Sequence, residues 1–252
     1  MKILFLKLLL LVSSIAYCQN LDLKVSYKVY CDTEIPLIFD SSLWANNDIA
    51  IYKEQYSTSI RWEERPTNVQ NAKVTKPMDV FEPLIKTDRI NKEMYFFASI
   101  FRNKFLVKDN YVTLKWNILN ETKKIANYDC TKAETNFRGR KWIVWFTTDI
   151  PLPFGPWKLH GLPGLILEAN DADKRYTIKV EKIEISNDTI LKDDFKTLIS
   201  SKNKEAITYQ QLLKDQEEAF DNLDKQLNTI SDIKATSEKL ARNSEELIYE
   251  WE

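Results

Sequence analysis

Glycine is nearly absent from this chain. It occurs only at Gly139, Gly155, Gly161 and Gly164, four positions among 252 residues. A sequence this poor in glycine keeps it where a side chain does not fit or where φ must be positive. Histidine occurs once, as His160. That excludes a histidine-rich metal site, and any Ser-His-Asp triad would have to use this residue. There is no G-x-S-x-G elbow and no P-loop or dinucleotide fingerprint. No catalytic residue, metal ligand or cofactor is therefore expected. Neither sign of charge dominates, with 36 Lys+Arg against 37 Asp+Glu, so there is no basic field to attract nucleic acid. Past the N-terminus no apolar run is long enough to span a bilayer, so no transmembrane segment is expected in the mature chain.

The N-terminus has the three-part pattern of a secretory signal peptide. Lys2 and Lys7 supply charge, Ile3 to Val12 is almost wholly apolar, and Ser13, Ser14 and Ala16 are small. Residues 1–18 are expected to be removed, with cleavage before Gln19. A lipid-modified Cys18 is the alternative, although Tyr17 precedes it where a small residue is usual. The expected location is the periplasm or the outer membrane. Cys31 and Cys130 then remain. In an oxidising compartment they are expected to form a disulfide, the alternative being two separate thiols.

Residues 19–200 read as an antiparallel β domain and 201–252 as a helical region packed on it. The fold class expected is α+β and mainly antiparallel β, a curved sheet or half-open barrel with C-terminal amphipathic helices. Strict alternation over 21–31 predicts a half-buried strand. Strands are also predicted over 49–56, 57–62, 95–101, 105–108, 111–118, 142–147, 165–169 and 176–185. A phase slip near Lys182 suggests a bulge. Residues 63–93 read as an irregular excursion. Residues 203–247 contain no Gly or Pro, and Leu213, Phe220, Leu223, Leu227 and Ile230 fall at helical spacing. Such helices either pack on the sheet or project towards a partner. Asp188-Thr189-Ile190 matches a short O-glycosylation pattern.

All four glycines lie between 139 and 164, with Pro151, Pro153, Pro156, Pro163, Trp142, Trp145, Trp157 and His160. Proline fixes φ and restricts the residue before it, so Ile150 to Trp157 is neither helix nor central strand. A rigid loop is expected there. Gly161 to Gly164 is expected to form a tight turn, with Pro163 and Gly164 central in a type II turn. The segment is apolar, so it is either a packed plug or a recognition loop. The candidates for ligand or partner binding are Arg138, Arg140, Trp142, Trp157, His160, Gly161, Leu162, Pro163 and Gly164. Arg138 and Arg140 flank Gly139 and would share a face of a strand. They would either grip an anion or pair with Asp129, Asp149 or Glu134.

Tyr128-Asp129-Cys130, Phe137-Arg138-Gly139-Arg140-Lys141-Trp142, Gly155-Pro156-Trp157 and Gly161-Leu162-Pro163-Gly164-Leu165-Ile166 together resemble the GLPGLI family, over about residues 125–180. The resemblance implies an exported protein of the Bacteroidota and, from gene neighbourhood, a partnership with outer-membrane receptors of the TonB-dependent type. It carries no catalytic residues across. Together these readings lead to an exported non-enzymatic envelope protein that binds an apolar ligand or an outer-membrane partner. A periplasmic hydrolase using Cys130, His160, Asp149 or Glu168, and a structural assembly subunit, are the alternatives.

Overall fold

The computed structural model describes residues 22–33, 36–55, 83–101, 103–185, 206–230 and 245–252, with the side chains of 224 and 227–230 also outside the description. The leader, Cys18, the strand expected at 57–62 and Thr189 lie outside these residues. The described chain forms one 12-stranded sheet in the order β12-β6-β5-β4-β3-β2-β1-β11-β10-β9-β8-β7. It is open, with β12 and β7 at its edges. Pairing is antiparallel throughout except for β12 on β6.

β1 (Leu23–Cys31) lies at the centre of the sheet, and its alternation is visible in its burial. Val25, Tyr27 and Val29 enter the core while the residues between them are more exposed. β11 (Tyr176–Ile185) pairs with it. The register jumps from Ser26↔Lys182 to Tyr27↔Val180, so Glu181 is the extra residue of a bulge. The phase slip in the sequence marks that bulge. β2 (Leu37–Ala45), β3 (Ile49–Gln55), β4 (Leu84–Asp88), β5 (Glu93–Ile100) and β6 (Asn103–Asp109) follow on one side of β1. β10 (Leu165–Asp171), β9 (Arg140–Thr147), β8 (Tyr128–Phe137) and β7 (Asn117–Ile125) lie beyond β11.

Three sequence expectations change. Residues 111–116 are not a strand; β7 begins only at Asn117. Their alternation is one of burial alone, because Val112, Leu114 and Trp116 lean on the core while Thr113 and Lys115 face out. Within 63–93, residues 84–88 form β4 and Glu93 opens β5. The helix α1 (Tyr209–Ile230) follows the two-residue β12 (Ile207–Thr208). It docks through Tyr209, Leu212 and Ala219 beside Ile100 and Val107, not through the expected stripe. Phe220 is 58% exposed. The pairing of β12 with β6 fixes the start of the helix over β5 and β6, and that sets which face is covered.

The expected disulfide is also absent. Cys31 on β1 and Cys130 on β8 are both free and buried, with β11, β10 and β9 between them. Four strand spacings of ~4.8 Å exceed the Cα separation of ~7 Å that a disulfide tolerates. Burial pushes the Cys31 thiol up to about 12 and the Cys130 thiol up to about 11, so both stay protonated at neutral pH. A denatured but unreduced sample of residues 19–252 will titrate both thiols. A count near zero would contradict this pairing of strands.

Candidate functional site

Residues 148–164 connect β9 to β10 and fold inward. Ile150, Leu152, Phe154, Trp157, Leu159 and Leu162 join the same core as Val25, Tyr27, Leu43, Val144 and Ile178 of the sheet. A buried loop must satisfy its own backbone, and several of this loop's bonds are made within it. Leu152 N donates to Ile150 O, Phe154 N to Leu152 O and Gly161 N to Pro153 O, at 2.8, 2.8 and 2.9 Å. Leu165 N and Ile166 N return to Ile150 O and Phe154 O, each at 3.0 Å. The Tyr27 hydroxyl donates to Ile166 O at 2.8 Å, tying β1 to the end of the loop. Trp116 Nε1 donates to His160 O at 2.9 Å.

The glycines act in two ways. Gly161 has φ +94 and a Cβ there would make only an ordinary 3.8 Å contact with Trp116 Nε1, so its need is conformational. Gly164 does not have positive φ, which excludes the expected type II turn. A Cβ there would sit 1.9 Å from Thr147 O, so Gly164 is a point of close backbone approach. At the tip of the β8–β9 hairpin, Arg138 and Gly139 have φ +47 and +83, as a two-residue type I′ turn requires.

That turn separates the two arginines. Each has its own carboxylate partners. Arg140 Nη1 donates to Asp171 at 3.0 Å, with both side chains buried. Arg138 grips Asp109 with both terminal nitrogens, at 2.9 and 2.6 Å. It also bonds Glu246 and, through Nε at 2.8 Å, Glu250. Lys158, from the apolar loop, donates to Asp109 at 2.6 Å and to Glu246 at 2.8 Å. The Tyr209 hydroxyl donates to Glu246. Two buried cations thus face two buried carboxylates, with Glu250 closing the partly exposed edge. Phe96 and Tyr209 lie 4.6 and 4.8 Å from Lys158 Nζ, so its ammonium rests on aromatic faces. Burial alone would raise the Asp109 carboxyl, but Lys158 and Arg138 outweigh it and hold it below the usual carboxylate range.

The remaining candidates are mostly interior. Trp142 is fully buried and packs on Trp157 at 5.2 Å, which also meets Phe137 at 5.5 Å. His160 is buried, its ring 4.6 Å from that of Tyr111 and its Nδ1 2.9 Å from Lys158 O. Burial lowers its affinity for a proton below that of ordinary histidine. Leu162 and Gly164 are buried, whereas Gly161 and Pro163 are exposed. An open cleft of about 340 Å³ is lined by Val112, Thr113, Leu114, Lys115, Thr135 and Asn136. Sequence reasoning missed Asp109, Lys158, Glu246 and Glu250. The one available signal is the acidic-aromatic pattern Glu246-Leu247-Ile248-Tyr249-Glu250, which in sequence resembles part of a solvated face.

Removing one partner of the buried pair leaves an uncompensated charge. Arg138→Met and Asp109→Asn are each expected to cost about 3–5 kcal/mol in denaturant unfolding. Gly164→Ala is expected to destabilise by more than Gly161→Ala, the latter costing about 1–2 kcal/mol; equal effects would contradict the close approach. Two windows are expected in acid. The folded pKa of His160 is depressed, so its neutral form stabilises fully above the unfolded value of 6.5 and less as pH falls below it. The contribution of Asp109 is present above its unfolded value of 3.8 and is lost below that. Urea midpoints across pH 3–8 for the natural chain and His160→Gln check this; the first window must vanish in the variant.

A profile of the family described as "N-glycanase peptide, N-terminal domain" matches residues 40–211. The fold is similar to a structure of PNGF-II, at 18% identity and a TM-score of 0.54, over 79% of this chain and 34% of that one. This chain therefore spans about a third of the length of that relative. Far more distant are an uncharacterized conserved protein from Thermus thermophilus, at 7% identity and TM-score 0.40 over 80% and 98% of the two chains, and a LolA superfamily protein from Nitrosomonas europaea, at 10% and 0.31 over 72% and 94%. No curated protein matches the sequence. Among the described residues no helix is long and apolar enough to cross a membrane. The chain belongs to the N-glycanase N-terminal domain family.

Proposed function

We propose that the chain is an exported, non-catalytic recognition domain of the bacterial envelope. The observation that carries this reading is that the buried ionisable groups of the motif region are each neutralised by a buried partner inside the core. Arg138 and Lys158 are matched by Asp109 and Glu246, and Arg140 by Asp171. The residues that a hydrolase would use have separate partners. His160 Nδ1 meets Lys158 O, Cys130 meets Tyr128 O, and Glu168 is paired with Lys123. Asp149 is exposed. The family is named for an N-terminal domain, which agrees with an accessory rather than a catalytic unit.

The apolar loop fills the inner face of the sheet, so binding falls to the surface beside it. The cleft of about 340 Å³ and the exposed Gly161 and Pro163 form the candidate contact surface. Its mixed lining suits a hydrogen-bonding peptide or sugar better than a lipid chain. The GLPGLI resemblance, whose span lies within the family match, and the leader-like residues 1–18 support an envelope location. An outer-membrane receptor of the TonB-dependent type is the partner that the GLPGLI resemblance implies. Anchoring through Cys18 is the alternative to a free periplasmic chain.

The purified chain is expected to release no glycan from an N-glycopeptide, and to be retained by solubilised receptor fractions. Thr113→Lys or Asn136→Lys should weaken that retention at unchanged stability. Glycan release that survives repurification and is lost in His160→Gln or Asp149→Asn would overturn the proposal, as would retention unaltered by either cleft variant.

A further inference from the structure

The family match ends at residue 211, yet the buried charge of the matched region balances only with residues that come later. Within 40–211, Arg138 and Lys158 have Asp109 as their shared carboxylate among the described residues. The second buried carboxylate, Glu246, and the edge carboxylate, Glu250, both arrive on the C-terminal segment 245–252.

This segment docks as a peptide docks on a receptor. Leu247 N and Ile248 N both donate to Arg138 O, at 2.8 and 3.2 Å. Leu247 crosses directly over Gly139, where a Cβ would lie 2.8 Å from the Leu247 Cβ. Tyr249 is buried with its ring 5.1 Å from Tyr209 and 5.7 Å from the Arg138 guanidinium, and Trp251 stacks on it at 4.8 Å. Main-chain pairing, an aromatic anchor and charge-assisted bonds to a bidentate arginine are the elements of peptide recognition. Every contact named here between the segment and the body is made to the β8–β9 turn, to Lys158 or to the first residue of α1.

We infer that Arg138, Gly139 and Lys158 form a binding site for an acidic-aromatic peptide of the pattern Glu-x-x-Tyr-Glu, and that the chain fills it with its own residues 245–252. The site supplies two cations against one fixed anion, so it selects a carboxylate at the first position. Glycine at 139 lets the peptide backbone lie flat on the turn. Tyr209 supplies a hydroxyl for the same carboxylate and a ring for the tyrosine. The ligand class follows from this chemistry: a segment presenting one carboxylate for burial, a tyrosine and a second carboxylate at the rim.

The test uses the full-length chain with a specific protease site introduced so that cleavage falls directly after Ser244. After cutting, the octapeptide 245–252 is expected to co-elute with the body on gel filtration. An excess of labelled peptide of the same sequence should then displace it, saturating at one per chain. The labelled peptide carrying Glu246→Gln should bind at least ~10-fold more weakly, since it loses the charge-assisted hydrogen bonds to Arg138 and Lys158. The uncut chain should take up none. Loss of the octapeptide without rebinding, unfolding on cutting, failure of millimolar peptide to displace it, or equal binding of the Glu246→Gln peptide would each overturn the inference.

Discussion

The architecture depends on neutralising two positive charges inside an apolar core. Arg138 stands at the tip of the β8–β9 hairpin and Lys158 in the loop between β9 and β10, and both are almost wholly buried. Desolvating a cation is costly unless it is paired and its donors are satisfied. Asp109 at the end of β6 and Glu246 near the C-terminus supply that pairing. Four distant stretches of chain are thereby held at one point, and the apolar loop is drawn onto the inner face of the sheet.

Once held, the loop is stabilised by ordinary packing. Burying each large apolar side chain contributes about 1.5–3 kcal/mol, and Leu152, Phe154, Leu159 and Leu162 are each almost fully enclosed. The unusual backbone follows from the same constraint. Gly164 passes so close to Thr147 that no side chain fits, and Trp157 adopts φ +57 so that its ring can lie against Trp142 and Phe137. The family motif is thus mainly an interior structure, and only Gly161 and Pro163 of its turn reach the surface.

Much of this was legible because period and composition act locally. The alternation of β1, the bulge opposite Ser26 and the rigid loop of 150–157 could all be read from neighbouring residues. β2 was missed because Asp40, Ser41 and Ser42 interrupt its apolar pattern, although both serines are buried. β7 was missed because an edge strand that is mostly exposed carries little hydrophobic signal. The ion cluster could not be read at all. Its bonded partners lie up to 112 residues apart in sequence, and no local pattern distinguishes a lysine in an apolar loop that finds a carboxylate from one that reaches solvent. The partners of Arg138 and Arg140 were hard to read for a related reason. Period two holds within a strand, and the turn at Arg138-Gly139 ends the strand between them.

The central claim is that the segment from Ile150 to Ile166 is held in one buried conformation by this cluster and by the sheet. Native-state hydrogen exchange at the amides of Leu152, Phe154, Gly161, Leu165 and Ile166 measures it most directly. The account predicts that these amides exchange only with the global opening that also exposes β1. Exchange at the rate of an unstructured peptide, while Val25 and Tyr27 of β1 stay protected, would contradict it.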